Sequence, residues 1–140
     1  MLISANPRLI EIAPEVGNHT EDVMDFWRPN YRNTALVDGK YSTKVYLKSL
    51  KKAWENFVGA SSLAFNDFSH FCYHLPFSRM AEKAHKHLAK LNQSGLNPEQ
   101  LEQQIEDTLH YNRIIGNSYT ASMYICLLYT SPSPRDLSTS

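Results

Sequence analysis

The chain has 140 residues, 42% of them hydrophobic and 20% charged, enough length and apolar content for one globular domain. Lys and Arg number 14, and so do Asp and Glu, so no global field points to nucleic acid or to an anionic membrane. Two cysteines make no disulfide framework and fit a reducing compartment, and no stretch approaches the roughly 18 apolar residues that span a bilayer.

The opening MLISANPRLIEIAP has too short an apolar run and too early a proline for a signal peptide, so a cytoplasmic location is expected. Met1 to Ser4 reads as the end of a strand, and Leu9 to Ala13 as a second β-prone run stopped by Pro14. Residues 15–41 hold several Gly and Pro breaks and little periodicity, which predicts a long loop region. Ser42 or Thr43 can N-cap a helix running to about Val58, with Tyr46, Leu50, Trp54 and Phe57 on one stripe.

Phe68 to Leu75 is a strand candidate ended by Pro76. A helix follows from about Phe77 to Leu91, with Met80, Ala84, Leu88 and Leu91 on its apolar face. Asn97-Pro98-Glu99-Gln100 has the form of a capped helix start, carried forward by Leu101, Ile105 and Leu109. Gly116-Asn117 interrupts, and residues 118–125 begin another helix. Residues 126–136, CLLYTSPSPRD, resemble one reading frame of a transposon adapter used in sequencing libraries. That predicts a domain fragment over 1–125 and an artefactual, disordered tail over 126–140.

His74 is the first candidate for chemistry. It sits at the C-terminal end of the expected strand, where ligand sites in α/β sheets commonly lie, and an imidazole there can hydrogen-bond a developing oxyanion or pass a proton near neutral pH. The alternative is a partly buried structural histidine. His70, Cys72 and His74 share one face of an extended strand, but a straight strand spans roughly 13 Å from i to i+4, too far to surround one ion, and no metal site is expected. His85, His87 and His110 show no partner arrangement and read as solvated surface.

Four separated motifs supply the context. EDVMDFWRPNY at 21–31, LVDGKYSTKVYLKSL at 36–50, CYHLPFSRMAEKA at 72–84 and YNRIIGNSYTASMY at 111–124 resemble hydroxymethylglutaryl-CoA synthase, in that family's order and spacing. The resemblance implies part of a thiolase-like layered α/β fold (αβαβα), truncated at both ends, from a homodimeric enzyme that condenses acetyl-CoA with acetoacetyl-CoA. It implies no resident cofactor, since the CoA thioesters are substrates, and neither a nucleic-acid nor a membrane partner.

In that family a cysteine thiolate takes the acetyl group, a glutamate removes a methyl proton, and a histidine holds the acetoacetyl carbonyl. By resemblance the last role falls to His74, with Asn117 as a neutral amide donor near the same acyl chain. Asn117 can also cap the following helix, and both roles are compatible. The nucleophile and the base are expected upstream, and Cys72 is not the nucleophile. Arg79 and Lys83 at i, i+4 suit the phosphates of CoA, although Glu82 stands where family members often carry another basic residue. Phe77 can line the pantetheine channel or belong to the core. Asp25, in the Asp-Phe-Trp-Arg-Pro motif, either orients neighbouring donors or pairs with Arg28. Two rival functions follow: a synthase of polyketide β-branching acting on a carrier-bound acceptor, and a non-catalytic binding domain suggested by the Lys-rich helix at 44–52.

Overall fold

A computed structural model describes residues 5–6 and 10–130. The elements are a two-strand ladder, β1 (Phe26–Trp27) and β2 (Leu36–Val37), then α1 (Gly39–Ala60), α2 (Ser78–Leu91), α3 (Pro98–Gln103), α4 (Glu106–Ile115) and α5 (Thr120–Thr130), with one 3-10 turn at Phe65–Asp67. The chain divides into two compact units. The first comprises Met1–Pro14, Phe68–His85 and Leu96–Ser140; the second comprises Glu15–Asp67 and Lys86–Gly95.

In the second unit, β1 and β2 pair antiparallel with Phe26 opposite Val37 and Trp27 opposite Leu36, a short hairpin inside the expected loop. Helix α1 begins three residues before Ser42. Its cap is Asp38, whose carboxylate accepts the Tyr41 N–H at 2.9 Å, because Asp38 lies just before a stretch that can turn helical at Gly39. The expected stripe is half-buried. Trp54 lies against Phe57 and edge-on to Phe65, with ring centroids 5.6 and 6.2 Å away, and its indole N–H donates to Asn92 Oδ1 at 2.8 Å. Burial pushes the Tyr46 phenol up to about 12.

The Lys-rich face of α1 is partly neutralised. Lys48 pairs with Glu21 and Lys51 with Glu55, and the bonds from Lys48 and His19 hold the Glu21 carboxyl down at about 2.

In the first unit, Tyr73, Leu75, Met80, Ala81, Ala84, Ile105 and Leu109 form the apolar interior. Helix α2 matches its expected span, and Asn97 and Gln100 close a reciprocal capping box at α3. The single helix expected from Asn97 onward is broken at 104–105 into α3 and α4. The Gln104 carbonyl accepts the N–H of Phe71 at 2.9 Å, so the break lies where a segment distant in sequence docks. Phe68–Leu75 is not a strand: its backbone is irregular, and helix side chains take the place of a neighbouring strand. Ile10–Ala13 likewise forms no strand, with Ile12 83% exposed; an isolated β-prone run gains nothing without a ladder partner. The expected strand at Met1–Ser4 and residues 131–140 of the expected tail lie outside the described residues, while residues 126–130 continue helix α5. Among the described residues no helix is long and apolar enough to cross a membrane.

Gly17 lies so close to α1 that a Cβ there would clash with the Ala53 carbonyl oxygen and with Phe57 Cβ and N. Backbone atoms cannot swing aside as a side-chain tip does, so Gly17→Ala is expected to destabilise the second unit by about 1–3 kcal/mol. The urea midpoint of the variant against the parent checks this.

Candidate functional site

The first unit positions five of the six expected site residues. The segment carrying His74 is held along a row of polar side chains at i, i+4, i+8. Gln104 Nε2 donates to the Phe68 carbonyl at 2.9 Å, and the Thr108 hydroxyl is shared between the Ile105 carbonyl at 2.6 Å and the Phe71 carbonyl at 3.2 Å. Asn112 Nδ2 lies 3.5 Å from the Leu75 carbonyl. Tyr73 and Leu75 are buried and His74 between them is exposed, as expected of an extended backbone whose alternate side chains face opposite ways.

A second network lies under His74. His85 is fully buried, with Nδ1 3.0 Å from the Tyr73 hydroxyl and Nε2 3.0 Å from Gln104 Oε1. Gln104 uses its amide nitrogen on Phe68, so its oxygen must accept from His85 Nε2–H. That leaves Nδ1 to accept the Tyr73 O–H. Phe71 stacks on Tyr73 with centroids 6.2 Å apart and lies 4.9 Å from the His85 ring. This corrects the expectation of a solvated His85: its partners lie 12 and 19 residues away, beyond any i±4 pattern. Burial pushes the His85 imidazole below its ordinary value near 6.5, opposed by the bond to Gln104.

Asn117 follows a glycine whose backbone conformation, φ 74° and ψ −155°, is open to little else. Asn112 holds that glycine twice: its carbonyl accepts the Gly116 N–H at 2.8 Å, and its Nδ2 donates to the Gly116 carbonyl at 2.9 Å. The Asn117 side chain is exposed, and its Oδ1 accepts the Tyr119 N–H at 2.7 Å. It forms a turn ahead of α5 and leaves its N–H donors uncommitted among the described residues.

Arg79 and Lys83 are both exposed on α2, and Lys83 Nζ stands 6.0 Å from the centre of the Phe77 ring, at the edge of cation–π range. Phe77 is 47% exposed, so it is not core. Asp25, in the second unit, accepts the Ser42 hydroxyl at 2.7 Å, and its backbone carbonyl accepts the Asp38 N–H at 2.9 Å. It ties the hairpin to the start of α1. Among the described residues no His, Cys, Asp and Glu side chains group closely enough to hold a metal ion.

The model for the C-terminal region of hydroxymethylglutaryl-coenzyme A synthase matches residues 13–110. The chain belongs to the hydroxymethylglutaryl-CoA synthase family. It is 32% identical over 129 residues to the hydroxymethylglutaryl-CoA synthase of Enterococcus faecalis, covering 91% of this chain and 33% of that protein. A solved HMG-CoA synthase complexed with CoA superposes with a TM-score of 0.75 at 36% identity, over 89% of this chain and 32% of that one. PksG from Bacillus subtilis, also named an HMG-CoA synthase, reaches a TM-score of 0.76 over 89% of this chain and 32% of that one at 23% identity, which shows the shared fold alone. The fold shared with the family is the thiolase-like layered α/β fold, of which the described residues carry mainly helices and connecting segments. The chain spans about a third of the length of the Enterococcus relative.

Sequence reasoning placed His74, Arg79, Lys83 and Asn117 in one family motif set but missed Gln104, Thr108 and Asn112. Their regular spacing beside Leu101, Ile105 and Leu109 was the available signal: one helical face alternating apolar and polar rows.

Two outcomes are expected. Gly116→Ala places its Cβ in open space, so its cost is backbone strain alone, about 1–3 kcal/mol, read from thermal or urea unfolding. The unfolded chain takes up a proton on His85 near pH 6.5 and the folded chain resists it. The stability it contributes is therefore whole above pH 6.5 and is lost as pH falls below it, by at most about 1.4 kcal/mol per pH unit. Urea midpoints from pH 7.5 to 5 should fall in the parent chain, and less steeply in His85→Leu.

Proposed function

We propose that the chain is part of an enzyme that joins acetyl-CoA to acetoacetyl-CoA to give 3-hydroxy-3-methylglutaryl-CoA, the condensation of the mevalonate route, and that it supplies the half-site for the acceptor. The observation that carries this is the exposed His74, set between buried Tyr73 and Leu75, in a chain matched by the family model over 13–110.

In the condensation, the enolate carbon of an enzyme-bound acetyl thioester forms a bond to the ketone carbon of acetoacetyl-CoA. The carbonyl π pair moves onto oxygen, which then takes a proton, and water cleaves the enzyme thioester to free the product's new carboxylate and the thiol. His74 is the group we assign to that oxygen, first as a hydrogen-bond donor and then as the acid. Asn117 adds a neutral donor toward the acyl chain. Its Oδ1 is already occupied by Tyr119 N–H, so the amide is oriented before the substrate arrives, which reduces the ordering cost of binding.

Arg79 and Lys83 are the cations we assign to the CoA phosphates, with Phe77 beside Lys83 along the pantetheine arm. Asp25 acts at a distance by anchoring the hairpin through Ser42. The acylated cysteine and the proton-abstracting glutamate are assigned to no residue of these 140, and the intact enzyme would act as a cytoplasmic homodimer using CoA thioesters with no resident cofactor. The paired lysines of α1 weaken the binding-domain alternative, because their charge is already met by neighbouring carboxylates.

Titration calorimetry of the 140-residue chain with acetoacetyl-CoA tests the assignment. Binding should weaken with salt, and the double variant Arg79→Ala/Lys83→Ala should bind about tenfold more weakly, the loss of one to two charge-assisted bonds. Unchanged affinity in that variant would favour the carrier-bound acceptor of polyketide branching. The chain alone should release no CoA from acetyl-CoA plus acetoacetyl-CoA, and turnover above the blank would overturn the division of roles.

A further inference from the structure

Asn112 makes contacts that no assigned role explains. It is 5% exposed on a helix whose other buried positions include Thr108 and Leu109, and a buried carboxamide is costly unless its donors and acceptor are engaged. Its two N–H donors have one carbonyl each, Gly116 at 2.9 Å and Leu75 at 3.5 Å, while its backbone carbonyl takes the Gly116 N–H at 2.8 Å. Leu75 directly follows His74, and Gly116 directly precedes Asn117. One side chain therefore touches the backbone next to each of the two groups assigned to the acyl chain, groups 43 residues apart in the sequence.

We infer that Asn112 is a positioning residue that couples the placement of His74 to that of Asn117, so that both donors meet one acceptor molecule together. The inference rests on the acceptor half-site proposed above and goes beyond it by naming what sets its geometry. The amide suits the task because it offers two N–H groups to two carbonyls. A carboxylate of the same size has none to offer and would repel both. The Gly116 conformation needs an external hold, since φ 74° with ψ −155° is only one of many conformations open to glycine. The last main-chain bond of α4 fixes its N–H, and the Asn112 side chain on its carbonyl removes the freedom that remains just before Asn117.

The test compares Asn112→Ala and Asn112→Asp with Thr108→Val in the 140-residue chain, using acetoacetyl-CoA and free CoA as probes. Thr108 lies on the same row and binds the Phe71 carbonyl, but it does not touch Gly116. Its substitution should lower the unfolding midpoint and leave the ratio of the two affinities unchanged. Either Asn112 variant should weaken acetoacetyl-CoA by about fivefold, the worth of one ordinary hydrogen bond, with CoA held within about twofold. Equal losses for both probes, or none for either, overturn the inference.

If the parent chain fails to distinguish acetoacetyl-CoA from CoA, the functional reading fails by itself. The backbone order of Gly116 and Asn117 from nitrogen relaxation then decides the coupling. Order lost in Asn112→Ala, with α3 unchanged, supports it; order retained overturns it. Asn112→Ala buries no charge, so it stands in should the aspartate variant not fold.

Discussion

The segment 68–75 has no neighbouring strand, and three of its carbonyls are met by a single row of side chains that starts at the α3–α4 break and continues along α4. Gln104, Thr108 and Asn112 reach the carbonyls of Phe68, Phe71 and Leu75, and the Gln104 carbonyl takes Phe71 N–H in return. Each buried carbonyl left alone would cost about 1–3 kcal/mol, so the row decides the register of the segment. Register in turn decides facing. A slip by one residue would bury the imidazole of His74 and turn the Tyr73 ring outward, and the alternation seen, with Tyr73 and Leu75 inside, is the one that presents the histidine.

Beneath that presentation lies a neutral network. Tyr73 O–H, the His85 ring and the Gln104 amide form one directed chain of donors and acceptors ending on the Phe68 carbonyl. A buried imidazolium in the same place would bear a large desolvation cost. The neutral tautomer bears far less, offset by its two hydrogen bonds, and fixes the direction of every bond around it. Tyr73 is adjacent to His74, so the buried network, whose imidazole belongs to α2, reaches the backbone that presents the exposed histidine.

Helices that bury one face were legible from spacing. Met80, Ala84 and Leu88 announce α2, and Asn97 with Pro98 and Gln100 announce the start of α3 to the residue. Local capping and 3.6-residue periodicity are properties of a short window. The start of α1 at Gly39 was not placed, because Asp38, Ser42 and Thr43 are all competent caps and only the three-dimensional environment selects among them. The break at 104–105 was hidden for a related reason: its position coincides with the docking of Phe71, 33 residues earlier in the sequence. Phe68–Leu75 has the aromatic content of a strand, but content cannot say whether a second strand is present to pair with it. His74 and Asn117 were found through motif order. Asn112 lies in the same motif as Asn117, but its contact with Leu75 spans 37 residues and leaves no local pattern.

The assigned groups divide by charge in a way that the chemistry rewards. In the proposed half-site the acyl chain would meet an imidazole and a carboxamide, while the cations Arg79 and Lys83 are both exposed on α2. A fixed cation beside the ketone would stabilise the developing alkoxide, but it would not supply the proton that the product hydroxyl needs, which an imidazole can deliver. Donors aimed at that oxygen gain most when charge appears on it, which is when stabilisation raises the rate. Phosphates carry their charge throughout, so cations at the periphery hold them equally in every state, which suits a handle more than a catalyst. The row of Gln104, Thr108 and Asn112 is uncharged, so it holds the backbone beside His74 and Asn117 without adding a charge of its own.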